Sequence, residues 1–215
     1  MPRKSIMTTA SSAPDPHKPE PRNQELRAGR PRSQRAHNAI LDAAFNLVLE
    51  EGFRAVSLES IAAKAGVAKT TVYRRWPNKA AVVMDAFTAK AGSGSLFSAA
   101  PSAIESIRFQ MHAMARSFRG NDGVLIQALL AEAQFDPELA NALRTRWTLP
   151  RRKLATGVIR QAIQQGDIRP GISPDDVIDL LYAPIYYRLQ RTTGPLSHAY
   201  IERIFHNAMQ GLAPA

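Results

Sequence analysis

The sequence predicts an all-α protein, with a small helix-turn-helix head joined to a larger helical body. Three observations lead there. Apolar residues recur three and four positions apart from Arg35 to Gln210, and strand-like alternation is missing. Glycines and prolines fall where those periodic runs start or stop. The stretch Val56 to Val83, VSLESIAAKAGVAKTTVYRRWPNKAAVV, reads as two short helices around a glycine turn with a third helix behind them.

Residues 1–32 hold six of the fifteen prolines and almost no large apolar side chains, so they are expected to be disordered. The end of this tail carries Arg30 and Arg32. A basic arm of this kind can enter a DNA minor groove, and it can equally be a solubilising leader. Arg35 to Glu51 reads as an amphipathic helix capped by Ser33, with Ala36, Ile40, Ala43, Ala44, Leu47 and Val48 along one stripe. Gly52 closes it, and Phe53 is expected in the core.

Ser57 is the expected N-cap of the next helix, whose face is Leu58, Ile61, Ala62 and Ala65. Gly66 makes the turn because a left-handed backbone costs glycine little. Lys69 to Trp76 form the second helix, and Pro77 ends it. Eight helical residues span about 12 Å, close to the width of a major groove. Val72 and Trp76, four apart, should face inward. That leaves Lys69, Thr70, Thr71, Tyr73 and Arg74 outward, residue types that suit base edges and phosphates. Asn78 should cap the following helix, with Ala81, Val82 and Phe87 inward. Lys79 sits at its start, where a cation and a helix N-terminus together attract phosphate.

The head is thus expected at residues 33–91 and the body at 101–211, with a hinge in Ala91–Ser95 and Ala99–Pro101. In the body, Ser102 to Arg119 is helical through Ile104, Ile107, Met111, Met114 and Phe118, and Gly120–Gly123 should stop it. Val124 to Phe135 follows. Asp136-Pro137-Glu138 then opens a helix running through Leu139, Leu143 and Trp147 to Gly166, kinked or split at Pro150. The last two helices run from Ser173 or Pro174 to Arg191, and from Leu196 or Ser197 to Gln210. Both are apolar over much of their circumference. Ile178, Leu181, Ile185 and Leu189 on one, with Ile201, Ile204, Phe205 and Ala208 on the other, are expected to meet a two-fold partner in a four-helix interface.

The chain has no cysteine, which excludes disulfides and thiolate metal sites and fits a reducing cytoplasm. No signal peptide or membrane span is visible. The net charge of +10 suits a polyanion, and the excess is +4 in residues 1–32, +3 in 33–90 and +3 in the much longer 91–215. The histidines at 17, 37, 112, 198 and 206 are scattered. No nucleophile elbow, phosphate loop, dinucleotide fingerprint or zinc-protease helix is present, so no catalytic residue, cofactor or metal is expected.

Several spaced motifs together resemble the TetR family of repressors: Ile40-Leu41-x-Ala43-Ala44, Glu51-Gly52-Phe53, Ile61-Ala62-x-x-Ala65-Gly66-Val67, Thr71-Val72-Tyr73-Arg74-Arg75-Trp76 and Lys79. Tyr182–Leu189 with Thr193–Leu196 resembles the C-terminal domain of one subgroup. The resemblance implies a homodimer on palindromic double-stranded DNA, read by Lys69, Thr70, Thr71, Tyr73 and Arg74, with Ser57 as cap and Lys79 on phosphate. It also implies a small-molecule effector bound in the body. Met111, Met114, Phe118, Phe135, Trp147, Tyr182 and Tyr186 could line its pocket, although such a stripe alone is more often ordinary core. Arg116, Arg119 and Arg151 are candidates for an anionic ligand. The alternative is a constitutive or architectural DNA-binding dimer without an inducer.

Overall fold

The computed structural model describes residues 29–91, Phe97 and residues 100–214, and every regular element among them is helical. Helix α1 (Gly29–Glu51) starts earlier than expected. Pro31 is compatible with this because first-turn N–H groups have no helical partner to lose. Ser33 therefore lies inside the helix instead of capping it, and residues 29–32 belong to the head. The rest of the expected tail lies outside the described residues. Ile40, Ala43, Ala44, Leu47 and Val48 are buried, and the stripe packs on α4 (Lys79–Ala91).

Between them stand α2 (Leu58–Lys64) and α3 (Lys69–Tyr73). Gly66 turns from one to the other at φ +65°, where a Cβ would be strained. Val72, Trp76 and Phe53 are buried as their spacing requires. Asn78 Oδ1 accepts the Ala81 N–H at 2.9 Å and caps α4. Most of the expected hinge after Ala91 lies outside the described residues.

The body opens with α5 (Ala103–Ser117), capped by Ser102, whose hydroxyl accepts the Glu105 N–H at 3.3 Å. Helix α6 (Asn121–Glu132) begins before Val124, so the expected glycine stop is its first turn. Gly123 is there for close approach: a Cβ would lie 1.9 Å from the Phe118 carbonyl oxygen. Helix α7 (Pro137–Leu143), capped by Asp136, runs into a wide π-helical turn at Arg144–Thr148 and then α8 (Leu149–Gln165). That is the split expected near Pro150.

Helices α9 (Pro174–Arg191) and α10 (His198–Leu212) close the body, with Ser173 and Ser197 as caps. Their faces correct one expectation. Ile178, Leu181, Ile185, Ile201 and Ala208 are buried within this one chain and belong to its own core. Leu189, Ile204 and Phe205 are half-buried. The apolar side chains left outward on α9 are instead Leu180 and Tyr187, 48% and 61% exposed. No helix among the described residues is long and apolar enough to cross a membrane.

Candidate nucleic-acid interface and the cavity behind it

The outward edge of the head is set by α2 and α3. Ser57 and Ser60 cap α2 reciprocally: each hydroxyl accepts the other's backbone N–H at 3.0 Å. Ser57 is thus a positioning residue whose hydroxyl is engaged within the protein. The second helix is shorter than Lys69–Trp76. Regular α geometry ends at Tyr73, although the coil continues through Arg74 N–H to Thr70 O at 3.1 Å and Trp76 N–H to Val72 O at 3.0 Å. Pro77, which has no N–H and disfavours helical backbone in the residue before it, stops the coil at Trp76.

Lys69, Thr70, Tyr73 and Arg74 are exposed on this edge, while Thr71 is half-buried. The Tyr73 hydroxyl donates to Glu59 Oε1 at 2.5 Å. That bond raises the Tyr73 pKa and lowers that of Glu59. Sequence reasoning had not singled out Glu59, an acid on an otherwise basic edge. Arg75 was also missed: its Nη2 donates to the Ser33 hydroxyl at 2.7 Å and the Ser33 carbonyl at 3.2 Å, tying the recognition segment to α1.

Lys79 behaves differently from expectation. Its ammonium donates to the carbonyls of Phe53 and Arg54 at 3.0 and 3.2 Å and lies 4.6 Å from the centre of the Phe53 ring. Two of its three donors therefore fasten the loop after α1 in place of a phosphate. Arg30 and Arg32 fall in the first turn of α1, and their side chains are outside the described residues.

Behind the head, a cavity of about 700 Å³ opens between the end of α4 and the body helices α5, α8 and α9. Met114, Phe118, Trp147, Tyr182 and Tyr186 line it, as the aromatic stripe suggested. Met111 does not: it is wholly buried core. Phe135 is also outside it, 79% exposed and 6.0 Å from the Arg54 guanidinium. Of the three candidate arginines only Arg151 reaches the cavity. Arg119 instead donates to the Leu196 carbonyl at 2.8 Å, and Arg116 is exposed.

The cavity is connected to the recognition segment by a short chain of contacts. The Trp76 indole N–H donates to Asp85 Oδ2 at 2.7 Å, and Arg146 Nη1 donates to Asp85 Oδ1 at 2.5 Å. The neighbour of Arg146, Trp147, packs on Phe87 of α4 with ring centres 4.4 Å apart and forms part of the cavity wall.

The head matches the family model for bacterial regulatory proteins of the tetR family over residues 40–86, and the body matches the tetracyclin repressor-like C-terminal domain over residues 102–208. The uncharacterised HTH-type transcriptional regulator YdeS of Bacillus subtilis (strain 168) is 38% identical over 188 residues, 87% of this chain and 95% of its own. The chain belongs to the TetR family of transcriptional regulators. It is a DNA-binding regulator and not an enzyme. A DNA-binding transcriptional repressor, TetR of Mycobacteroides abscessus, is 26% identical over 80% of this chain and 90% of its own. The crystal structure of the TetR-family regulator SCO0332 superposes with a TM-score of 0.71 at 29% identity, covering 83% of this chain and 99% of that one.

One side-chain cluster of this TetR-family chain lies apart from both edge and cavity. The histidines looked scattered, yet folding stacks His112 on His198 with ring centres 4.2 Å apart and hydrogen-bonds His112 Nε2 to Glu202. Arg108 donates to both Glu202 oxygens, through Nη2 at 2.7 Å and Nε at 3.0 and 3.1 Å. Arg108 first, then His112, hold the Glu202 pKa down at about 2. Ligating atoms of His112, His198 and Glu202 lie within 4.8 Å of one another, a proximity the sequence spacing of these residues did not show. Arg108 already balances the carboxylate, so the cluster reads as an α5–α10 ion-pair network.

Proposed function

We propose that this regulator is a ligand-responsive repressor that binds a palindromic operator as a homodimer and is released by a small-molecule inducer. One observation carries the reading: the cavity is walled partly by the C-terminal end of α4, and the same helix holds Trp76 through Asp85. A ligand pressing on that wall would move α4. Because α4 carries α3, the two recognition helices of a dimer would leave the spacing of about 34 Å that successive half-sites demand.

In this reading Lys69, Thr70, Tyr73 and Arg74 contact bases and backbone, and Thr71 contributes its exposed part. Arg30 and Arg32, in the first turn of α1, would contact the neighbouring backbone or minor groove. The partner subunit covers the outer faces of α9 and α10, where Leu180 and Tyr187 would otherwise stay in water. A reducing cytoplasm suits a chain without cysteine.

Selection of bound DNA from a random pool tests the first half, and a palindromic consensus is the expected result. A metabolite screen for release from that DNA tests the second. Unstructured or absent selection refutes operator recognition. Binding that no small molecule reverses would leave the constitutive, architectural dimer.

A further inference from the structure

One end of the cavity differs chemically from the rest. Two of the three cations on its wall are paired with carboxylates, and its one carboxylate without a cation accepts a hydroxyl. Lys90 pairs with Asp42, Arg152 pairs with Asp175 and Asp179, and Asp122 accepts the Ser117 hydroxyl at the start of α6. Arg151 is the exception. Its guanidinium lies 3.1 Å from the centre of the Trp147 ring, and no carboxylate among the described residues pairs with it. Burial pushes its pKa down to about 10, so at neutral pH it remains charged while partly stripped of water.

Two tyrosines line the same cavity. Tyr186 accepts the Trp147 indole N–H at 3.0 Å, which leaves the phenolic proton to donate. The Tyr182 hydroxyl is buried with no hydrogen-bond partner among the described residues, a costly arrangement, and Tyr182 lines the cavity. Trp147 links Arg151 to Tyr186, since its ring lies against the guanidinium and its indole N–H donates to the Tyr186 hydroxyl. One cation and two phenols thus line the same cavity, and no carboxylate among the described residues pairs with the cation.

We propose that this end of the cavity binds the carboxylate of a singly charged amphiphile, whose apolar body lies along the aromatic wall toward Phe97 and Phe118. The charge count sets the class. Lys90 and Arg152 are already paired with carboxylates, so Arg151 is the wall cation left to balance a ligand, and it balances one negative charge. The volume, about 700 Å³, and the largely apolar wall suit a body of drug-like size. The inference rests on the cavity being an effector site, and it specifies which effectors enter.

The test uses the full-length chain and matched probes: dodecanoate against dodecanol, and 2-naphthoate against 2-naphthalenemethanol, titrated calorimetrically at neutral pH. Each carboxylate is expected to bind at least about tenfold more tightly than its alcohol, the share of a charge-assisted hydrogen bond. Arg151→Gln should abolish that preference by weakening the acids alone, Arg151→Lys should retain part of it, and Tyr182→Phe should weaken the acids several-fold. Equal affinity of acid and alcohol, a preference that survives Arg151→Gln, or no binding of either acid below about 1 mM overturns the proposal. DNA selection without additives, run in parallel, separates the two readings. A selected palindrome with no acid preference removes the anion inference alone, whereas acid binding without DNA selection removes the repressor reading alone.

Discussion

Asp85→Ala removes a side chain that joins the recognition segment to the body. Asp85 accepts the buried Trp76 N–H and the Arg146 guanidinium, so both bonds are lost together. A hydrogen bond to a charged group contributes about 1.5–3 kcal/mol. The ion pair, with side chains 33% and 38% exposed, is screened and adds roughly 0.5–1 kcal/mol. The expected loss is therefore about 2–4 kcal/mol. At roughly 2–4 °C per kcal/mol for a chain of this size, Tm should fall by about 5–15 °C. Thermal unfolding of the single variants and of the Trp76→Phe, Arg146→Met double variant completes a cycle. Trp76 and Arg146 should couple by about 0.5 kcal/mol or more, because they share one carboxylate. Specific DNA binding should weaken more than non-specific binding, since Trp76 orients α3. A Tm within about 1 °C of the parent, or strict additivity in the cycle, refutes the link.

Three further outcomes follow from single positions. Gly123→Ala places a methyl 1.9 Å from the Phe118 carbonyl, so α5 and α6 must separate; overpacking of backbone should cost about 3 kcal/mol or more, read as a Tm loss near 10 °C. Glu59→Gln removes an anion from the proposed DNA-facing edge and loosens its hold on Tyr73; affinity for any duplex should rise a few-fold in a gel-shift titration, and unchanged affinity would place Glu59 away from phosphate. Glu202 has its pKa lowered from 4.5 to about 2, so its contribution is fully present above pH 4.5 and disappears as pH falls toward 2. Acid unfolding of Glu202→Gln should accordingly be less steep in that window than that of the parent.

The head was legible because its signals are local. A serine cap, a glycine turn, two apolar residues four apart and a terminating proline each act within one or two helical turns, and Ser57, Gly66, Val72, Trp76 and Pro77 stand where they were read. What was missed depends on which helices meet. Periodicity marks Ile178, Leu181, Ile185, Ile201 and Ala208 as buried, but it does not say by what, and their own subunit covers them. His112 meets Glu202 across ninety positions of sequence, a distance no spacing rule spans. Gly123 resembled a helix stop because glycine serves both as a turn residue and as a point of close approach, and only the position of Phe118 decides between them. Phe135 sits just past the end of α6, where the apolar stripe continues in sequence after the helix has ended.

The wide turn at Arg144–Thr148 has two candidate causes, and they predict different results. Pro150 lacks an N–H and crowds the carbonyl four residues back, which by itself would open the coil. The apolar stripe gives another reason: Leu139, Leu143, Trp147 and Ala155 are all buried, at separations of four, four and eight. In a regular α-helix those sixteen positions would drift by about 160° around the axis. One extra residue absorbed in a π turn removes about 100° of that drift and returns α8 to the face that α7 presents. If proline alone causes the turn, Pro150→Ala should relax it and rotate Trp147 against Arg151 and Phe87, changing the near-ultraviolet circular dichroism of the tryptophans. If the register causes it, the turn should persist, the spectrum should stay the same and stability should move by no more than about 1 kcal/mol. The second outcome is expected, because relaxing the turn would pull Leu139 and Leu143, both at most 5% exposed, out of the core, and a single recovered backbone bond is too small to offset that.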